Sequence, residues 1–345
     1  MNSPDRALFI QLRRIGDILM CTPAIRALKK RYPDCKIDFL TEYPDVLNGN
    51  RNLDNIISVD PSRQFSPSYQ YRLIRNLRKS RYNLVVDFLA NPRSAYYSFL
   101  TGAETRLSYG YGHRRWAYNL TSPRPENPIY AALDRLHLMR ALDVESNDPH
   151  LEFYPTDKDR DKAARLLKSI SGDRIVTISP VSRREYRRWP LDRFAELCHW
   201  LKTDFDFHIV VVVGPGEENY GLELFEMLKS VNPLLLNVNS LGVLGALFER
   251  AFFHIGNDNG PKHIAVAMGT PTFAIFGSDN PISWTYPDSA RHLFISPPDI
   301  DPVCKSSGHK CGPECIRKIS AKAVYEKLKP MIQNLNLEIR TPEPK

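Results

Sequence analysis

Apolar residues in this chain fall into short continuous runs that alternate with stretches of helical spacing from one end to the other. In the first half ALFIQL reads as a strand, and Ile18 to Lys30 as one amphipathic helix ending in a basic turn. KIDFLTE, NIISVD and NLVVDFL follow as further short strands. Tyr69 to Lys79 carries helical spacing with Arg and Lys on its other face, and Tyr130 to Leu142 is the last strong helix of this half.

The extended stretch HLEFYPT (150–156) then separates two helical patterns and is the candidate linker. Beyond it the alternation restarts: helix Asp157 to Ser169, strand RIVTISP, helix Leu191 to Lys202, strand HIVVVVG and helices Glu217 to Lys229 and Leu241 to Arg250. Strand FHIG, helix Pro261 to Met268 and strand TFAIFG complete the run. HIVVVVG and TFAIFG are nearly continuous apolar, as expected when helices cover both faces of a parallel sheet. The pattern predicts an α/β protein with two doubly wound Rossmann-like domains, residues 1–155 and 156–345, facing a central cleft. The final helix is expected to pack back toward the first domain.

A length of 345 residues fits two domains, and 42% hydrophobic with 25% charged residues is an ordinary globular composition. No apolar run is long enough to span a bilayer, and MNSPDRALFIQL lacks the apolar core of a signal peptide. The cytoplasm is therefore the expected compartment, and a disulfide framework is not expected there. Cys21, Cys35 and Cys198 stand singly in apolar-periodic segments. Cys304, Cys311 and Cys315 form C-x6-C-x3-C with His309 between, a spacing that fits no standard zinc module, so no metal site is assigned. The net charge of +8 suits an anionic partner, and basic residues gather at Arg26–Arg31, Arg72–Arg81 and Arg183–Arg188. No RNA-module or helix-turn-helix signature accompanies the charge, so nucleic acid is not the expected partner.

Chemistry-bearing residues recur just beyond predicted strands, where open α/β sheets bind ligands. After ALFIQL come Arg13, Arg14, Gly16 and Asp17. Asp17 there either presents its carboxylate to a substrate or caps the following helix. After RIVTISP the loop carries Ser182, Arg183, Arg184, Arg187 and Arg188, whose guanidinium forks suit a diphosphate; Trp189 reads as a packing residue. Glu217 and Glu218 follow HIVVVVG, either accepting from ribose hydroxyls or simply opening a helix. The sharpest string is HIGNDNGPKHIAVAMGTPTFAIFG, in which Asp258, Asn259 and Gly260 form a strand-to-helix turn with Lys262 and His263 on the first helical turn, an anion-binding arrangement. No G-x-G-x-x-G opens the chain, which disfavours a nicotinamide cofactor, and no D-x-D pair presents itself for a metal.

Taken together these segments resemble glycosyltransferase family 9, the ADP-heptose:lipopolysaccharide heptosyltransferases. The resemblance rests on IGD followed by TPAIRALKKRYP, on VVDFLANPRS with Asp87, Arg93 and Ser94, on the basic loop ending in W-P, and on D-x-G-x-x-H followed by G-T-P. It implies a glycosyltransferase-B fold, with acceptor bound mainly by the first domain and nucleotide sugar by the second. Asp17 stands at the family's candidate general base. Ser182 and Arg187 stand at its diphosphate contacts, Glu217 at the ribose, and Asp258, Gly260 and His263 at the donor turn; Arg13, Arg14, Asp87 and Arg93 fall on the acceptor side. Asn259 departs from the family's Thr or Ser, and Arg187 from its more usual Lys.

The implied reaction is an inverting transfer of heptose from ADP-heptose, or another nucleotide sugar, to phosphorylated lipopolysaccharide inner core. No cofactor or catalytic metal is required in that scheme. The basic first domain would rest peripherally on the inner face of the cytoplasmic membrane. A nucleotide-sugar epimerase or hydrolase on the same fold is the rival reading, and a basic nucleic-acid-binding protein a more distant one.

Overall fold

The computed structural model describes residues 3–110, 112–170, 172–297 and 314–340. The chain divides into two compact units, Met1–Tyr154 and Pro155–Lys345. In the first, β1 (Arg6–Ile10), β2 (Lys36–Thr41), β3 (Asn55–Ser58), β4 (Leu84–Asp87), β5 (Thr105–Tyr109) and β6 (Leu120–Ser122) form a sheet in the order β3-β2-β1-β4-β5-β6. In the second, β7 (Ile175–Ser179), β8 (His208–Val213), β9 (Leu234–Asn237), β10 (Phe253–Asn257), β11 (Thr272–Ile275) and β12 (His292–Ile295) run in the order β12-β11-β10-β7-β8-β9. All neighbouring strands are parallel. Numbered within its own unit, each sheet has the doubly wound order 3-2-1-4-5-6. The order reverses between β1 and β4 in one unit and between β7 and β10 in the other.

The central strands are buried end to end because both faces are covered. In the first sheet Phe9 lies in register between Phe39 and Val86. In the second, Ile255 lies between Ile178 and Phe273. The second core also takes in Trp189 and Phe194, with Val324, Leu328 and Ile332 of the last helix, Ala321–Arg340. Trp189 is indeed a packing residue, fully buried, with its indole N–H donating to the Ile319 carbonyl (2.9 Å). Its backbone N–H donates to Asn257 Oδ1 (2.9 Å), which ties the end of the basic loop to the end of β10.

The first half departs from its expected pattern at one helix. The single helix Ile18 to Lys30 is two: α1 (Ile15–Leu19) and α2 (Thr22–Arg31). Pro23 has no N–H to give the Leu19 carbonyl, and the Thr22 hydroxyl donates to that oxygen instead (2.8 Å). Strands β5, β6, β9 and β12 are not predicted by the apolar pattern, being three to five residues long with little alternation. Of the late cysteines, Cys315 is buried, while Cys304, Cys311 and His309 lie outside the described residues.

Candidate active site

At the switch point of the first unit, β1 leads into a loop in which Arg14 adopts a left-handed conformation (φ 71°). That turn lets α1 begin at Ile15 and puts Asp17 in its first turn, where a carboxylate is favoured by the helix dipole. Asp17 is therefore not the cap: Arg14 holds that position, and no side chain caps it. The Asp17 side chain is 21% exposed, with Oδ1 3.5 Å from Nη2 of the nearly buried Arg135. Arg135 lies on α5 (Ala131–Met139) and donates from Nη1 to Asp134 Oδ2 (2.9 Å). That same oxygen accepts from the Tyr109 hydroxyl (2.9 Å) and Arg124 (3.0 Å). Burial works against the Arg135 charge, but Tyr109, Cys21, Asp17 and Asp134 more than offset it and raise its pKa. The Cys21 thiol donates to the Asp17 carbonyl (3.2 Å), and burial pushes its pKa up to about 12.

Two guanidinium groups of this unit converge on one buried carboxylate. Glu42, just past β2, pairs with Arg93 and stands 3.7 Å from Arg13 Nε. Arg93 also donates to Gln64 Oε1 (3.4 Å), while Arg14 is exposed. Asp87 is wholly buried, its carboxylate accepting from Leu89 N and Ala90 N (both 3.0 Å) and from Tyr118 Oη (2.6 Å). Burial raises its pKa even though those donors oppose the shift. Its bonds shape the turn through Ala90 (φ 49°) into α4 (Pro92–Leu100), which carries Arg93 and is opened by a capping box of Asn91 and Ser94.

At the switch point of the second unit, the loops leaving β7 and β10 meet. Ser182 is buried, with its hydroxyl 3.5 Å from the Asp258 carbonyl. Arg187 reaches Asp258 Oδ2 (3.4 Å) and Asp279 Oδ1 (2.5 Å). Lys262, 2% exposed, places Nζ on Asp258 Oδ1 (2.6 Å) and the Trp284 carbonyl (3.1 Å), over the Phe276 ring. Its charge is thus committed to Asp258 rather than offered outward. Burial disfavours the Asp258 carboxylate, but Lys262, His263 and Arg187 outweigh it and hold its pKa below the ordinary value. His263 is buried against Trp284, and its Nδ1 has no hydrogen-bond partner among the described residues. Burial, then the Lys262 charge, depress its pKa to about 3, so the imidazole is neutral and presents a hydrogen-bonding edge without charge.

Asn259 caps α6 (Gly260–Ala267), accepting from the Lys262 backbone N–H (3.2 Å) while its amide donates to the Val181 carbonyl (2.9 Å). An amide at this position therefore does the capping work of a hydroxyl and also ties the β10 loop to the β7 loop. Glu217 turns inward and accepts from Gly214 N (2.9 Å), closing the loop after β8. Its neighbour Glu218 accepts from Asn237 (2.9 Å).

Sequence reasoning missed Arg135, Glu42 and Asp279. A visible sign of the first was an Asp-Arg pair inside the otherwise apolar AALDRLHLM; of the other two, an acid directly beyond a strand, in FLTE and AIFGSD.

Comparison with known proteins decides among the readings that share this fold. Residues 70–302 match the family model of glycosyltransferase family 9 (heptosyltransferase). The chain belongs to that family. Lipopolysaccharide heptosyltransferase 3 of Escherichia coli is 27% identical over 294 residues, covering 79% of this chain and 84% of the relative. A family 9 glycosyltransferase structure from Veillonella parvula superposes with a TM-score of 0.82 at 21% identity, covering 96% and 97% of the two chains. An E. coli heptosyltransferase solved with ADP gives 0.72 at 17% identity over 96% and 99%. The family 9 protein is thus a glycosyltransferase of the glycosyltransferase-B class.

The cap reading makes a direct prediction. Asn259→Ala lowers stability by about 1 kcal/mol, whereas Asn259→Thr retains most of it, as read from thermal melts. Equal melting temperatures for the two variants would contradict the capping role.

Proposed function

We propose that this family 9 glycosyltransferase moves a heptose, with inversion, from ADP-heptose to the phosphorylated inner core of lipopolysaccharide. One observation carries the reading: in a family 9 chain, one switch point holds a partly exposed carboxylate and the other an anion-suited cluster. In the proposed reaction the acceptor oxygen attacks the anomeric carbon while its proton passes to an Asp17 oxygen. The new C–O bond forms as the bond to the β-phosphate breaks, and the electron pair leaves on ADP. A carboxylate is a weak base, but it serves because the hydroxyl turns acidic only as the bond forms.

Ser182, Arg187 and the backbone N–H groups opening α6 are the proposed diphosphate donors. Arg187 approaches a diphosphate with its charge balanced by Asp258 and Asp279, so a ligand competes for a preordered fork. The neutral His263 imidazole contributes a hydrogen bond. Lys262 acts through Asp258, which is assigned to the heptose hydroxyls, and Glu217 is assigned to the ribose. Arg13, Arg14 and Arg93 are assigned to acceptor phosphates, while buried Asp87 acts by shaping the turn that carries Arg93.

The acceptor is a lipid, and the first unit offers a face suited to an anionic bilayer. Helix α3 (Pro67–Lys79) exposes Arg72, Arg75, Arg78 and Lys79, beside Phe65 and Tyr71, which are 88% and 67% exposed. Between residues 61 and 103 the one acid is Asp87, which is buried. Peripheral attachment at the inner membrane face is part of the proposal, and among the described residues no helix is long and apolar enough to cross a membrane.

Two measurements test the proposal. ADP release from ADP-heptose should require Kdo-bearing lipid A and fall at least about 100-fold in Asp17→Asn. Release without acceptor would indicate a hydrolase instead. In vesicle sedimentation the protein should bind phosphatidylglycerol membranes and leave phosphatidylcholine membranes, with salt weakening the association. Binding indifferent to anionic lipid would refute the attachment.

A further inference from the structure

We infer that Arg135 is a positioning residue for the catalytic carboxylate, fixing one oxygen of Asp17 so that the other faces the acceptor hydroxyl. The inference rests on the reading of Asp17 as the base. Three features of the first unit carry it.

The first is access. The Arg135 side chain is 8% exposed against 21% for Asp17, so the guanidinium sits behind the carboxylate rather than beside a substrate. The second is rigidity. Arg135 is held through Asp134, which the Tyr109 hydroxyl and Arg124 fix in turn. These groups come from β5, the loop after β6, and α5, so three segments of the unit converge on one orientation. The backbone of Asp17 is anchored as well, since its carbonyl accepts from Cys21. The third is charge. A guanidinium keeps its charge readily when buried, and this one meets Asp17 on one nitrogen and Asp134 on the other.

A base must be both ionised and aimed at the proton it takes. Arg135 answers both requirements without touching the sugar. The other titratable groups around Arg135 and Cys21 are the Cys21 thiol itself, held protonated by burial, and the Asp134 and Asp87 carboxylates. Arg135 is therefore the cation that sets the balance from within the fold, while Arg13 and Arg14 lie on the exposed loop ahead of α1.

The test compares Arg135→Met, Arg135→Lys and Asp17→Asn in the full chain, with ADP-heptose and Kdo-bearing lipid A. Arg135→Met should lower kcat about 10- to 100-fold, a fraction of the effect of a general base, while donor KM stays within about two-fold. Loss of the neighbouring cation makes the base harder to ionise, so the acid limb of kcat should move up by about one pH unit or more. Arg135→Lys should restore part of kcat and return the limb toward wild type. Asp134→Asn/Arg135→Met removes the buried carboxylate along with its partner, so it reads the same effect if the single variant unfolds. A folded Arg135→Met or double variant with wild-type kcat and an unmoved acid limb would overturn the inference. If Asp17→Asn itself kept wild-type kcat, the reading of the base would fail instead, and the two failures are told apart.

Discussion

In a doubly wound sheet the crossover helices pack on one face on one side of the first strand and on the opposite face on the other side. Where the winding reverses, the loops leaving two adjacent strands diverge and leave a crevice between them. This chain builds that arrangement twice, with the same strand order in each unit. The candidate site residues follow from it: Asp17 and Arg93 stand on the first turns of the helices after β1 and β4, Ser182 and Arg187 on the loop after β7, and Asp258 and His263 on the turn and helix after β10. Trp189 and Asn257 fasten the second pair of loops together, as the Asp87 turn orders the start of α4 in the first unit.

Both switch points face the same electrostatic problem and solve it alike. Charges needed at a crevice lie partly out of water, where an unpaired ion is costly and a broken pair more so. In the second unit Arg187 and Lys262 balance Asp258 and Asp279. In the first, Arg135 and Arg124 balance Asp17 and Asp134. Each cluster is neutral overall, yet each stays partly accessible: Arg187 at 20% in the second unit, Asp17 at 21% and Arg124 at 47% in the first. A neutral, preordered cluster can meet a charged substrate with little rearrangement, which is the basis of electrostatic stabilisation by fixed dipoles and charges.

The α/β class, the repeated unit and the order of the motifs were legible in the sequence because long buried strands and strand-to-helix turns leave strong local patterns. TFAIFG and HIVVVVG could be read on sight, whereas LTS and LLLN at the sheet edges could not, since three or four half-buried residues carry no period. At the site, residue type was more legible than residue role. Asp87 reads as an acceptor-side residue, and its carboxylate is buried in a turn; Lys262 reads as part of an anion-binding turn, and its ammonium is paired with Asp258. Asn259 looked like a lost hydroxyl and caps its helix. In each case the burial of a polar group depends on partners distant in sequence, such as Tyr118 for Asp87 and Trp284 for Lys262. Arg135 was hidden for the same reason, its partner Asp17 lying on a different helix.

The proposed division of labour gives the nucleotide diphosphate to the second unit and leaves Asp17 of the first to act only on the acceptor. Calorimetric titration of ADP into the wild type, Arg187→Gln and Asp17→Ala tests it most directly. Arg187→Gln should bind at least about ten-fold more weakly, the scale of a lost charge-assisted hydrogen bond, and Asp17→Ala should keep an unchanged Kd. Unweakened binding in Arg187→Gln, or an equal loss in Asp17→Ala, would contradict it.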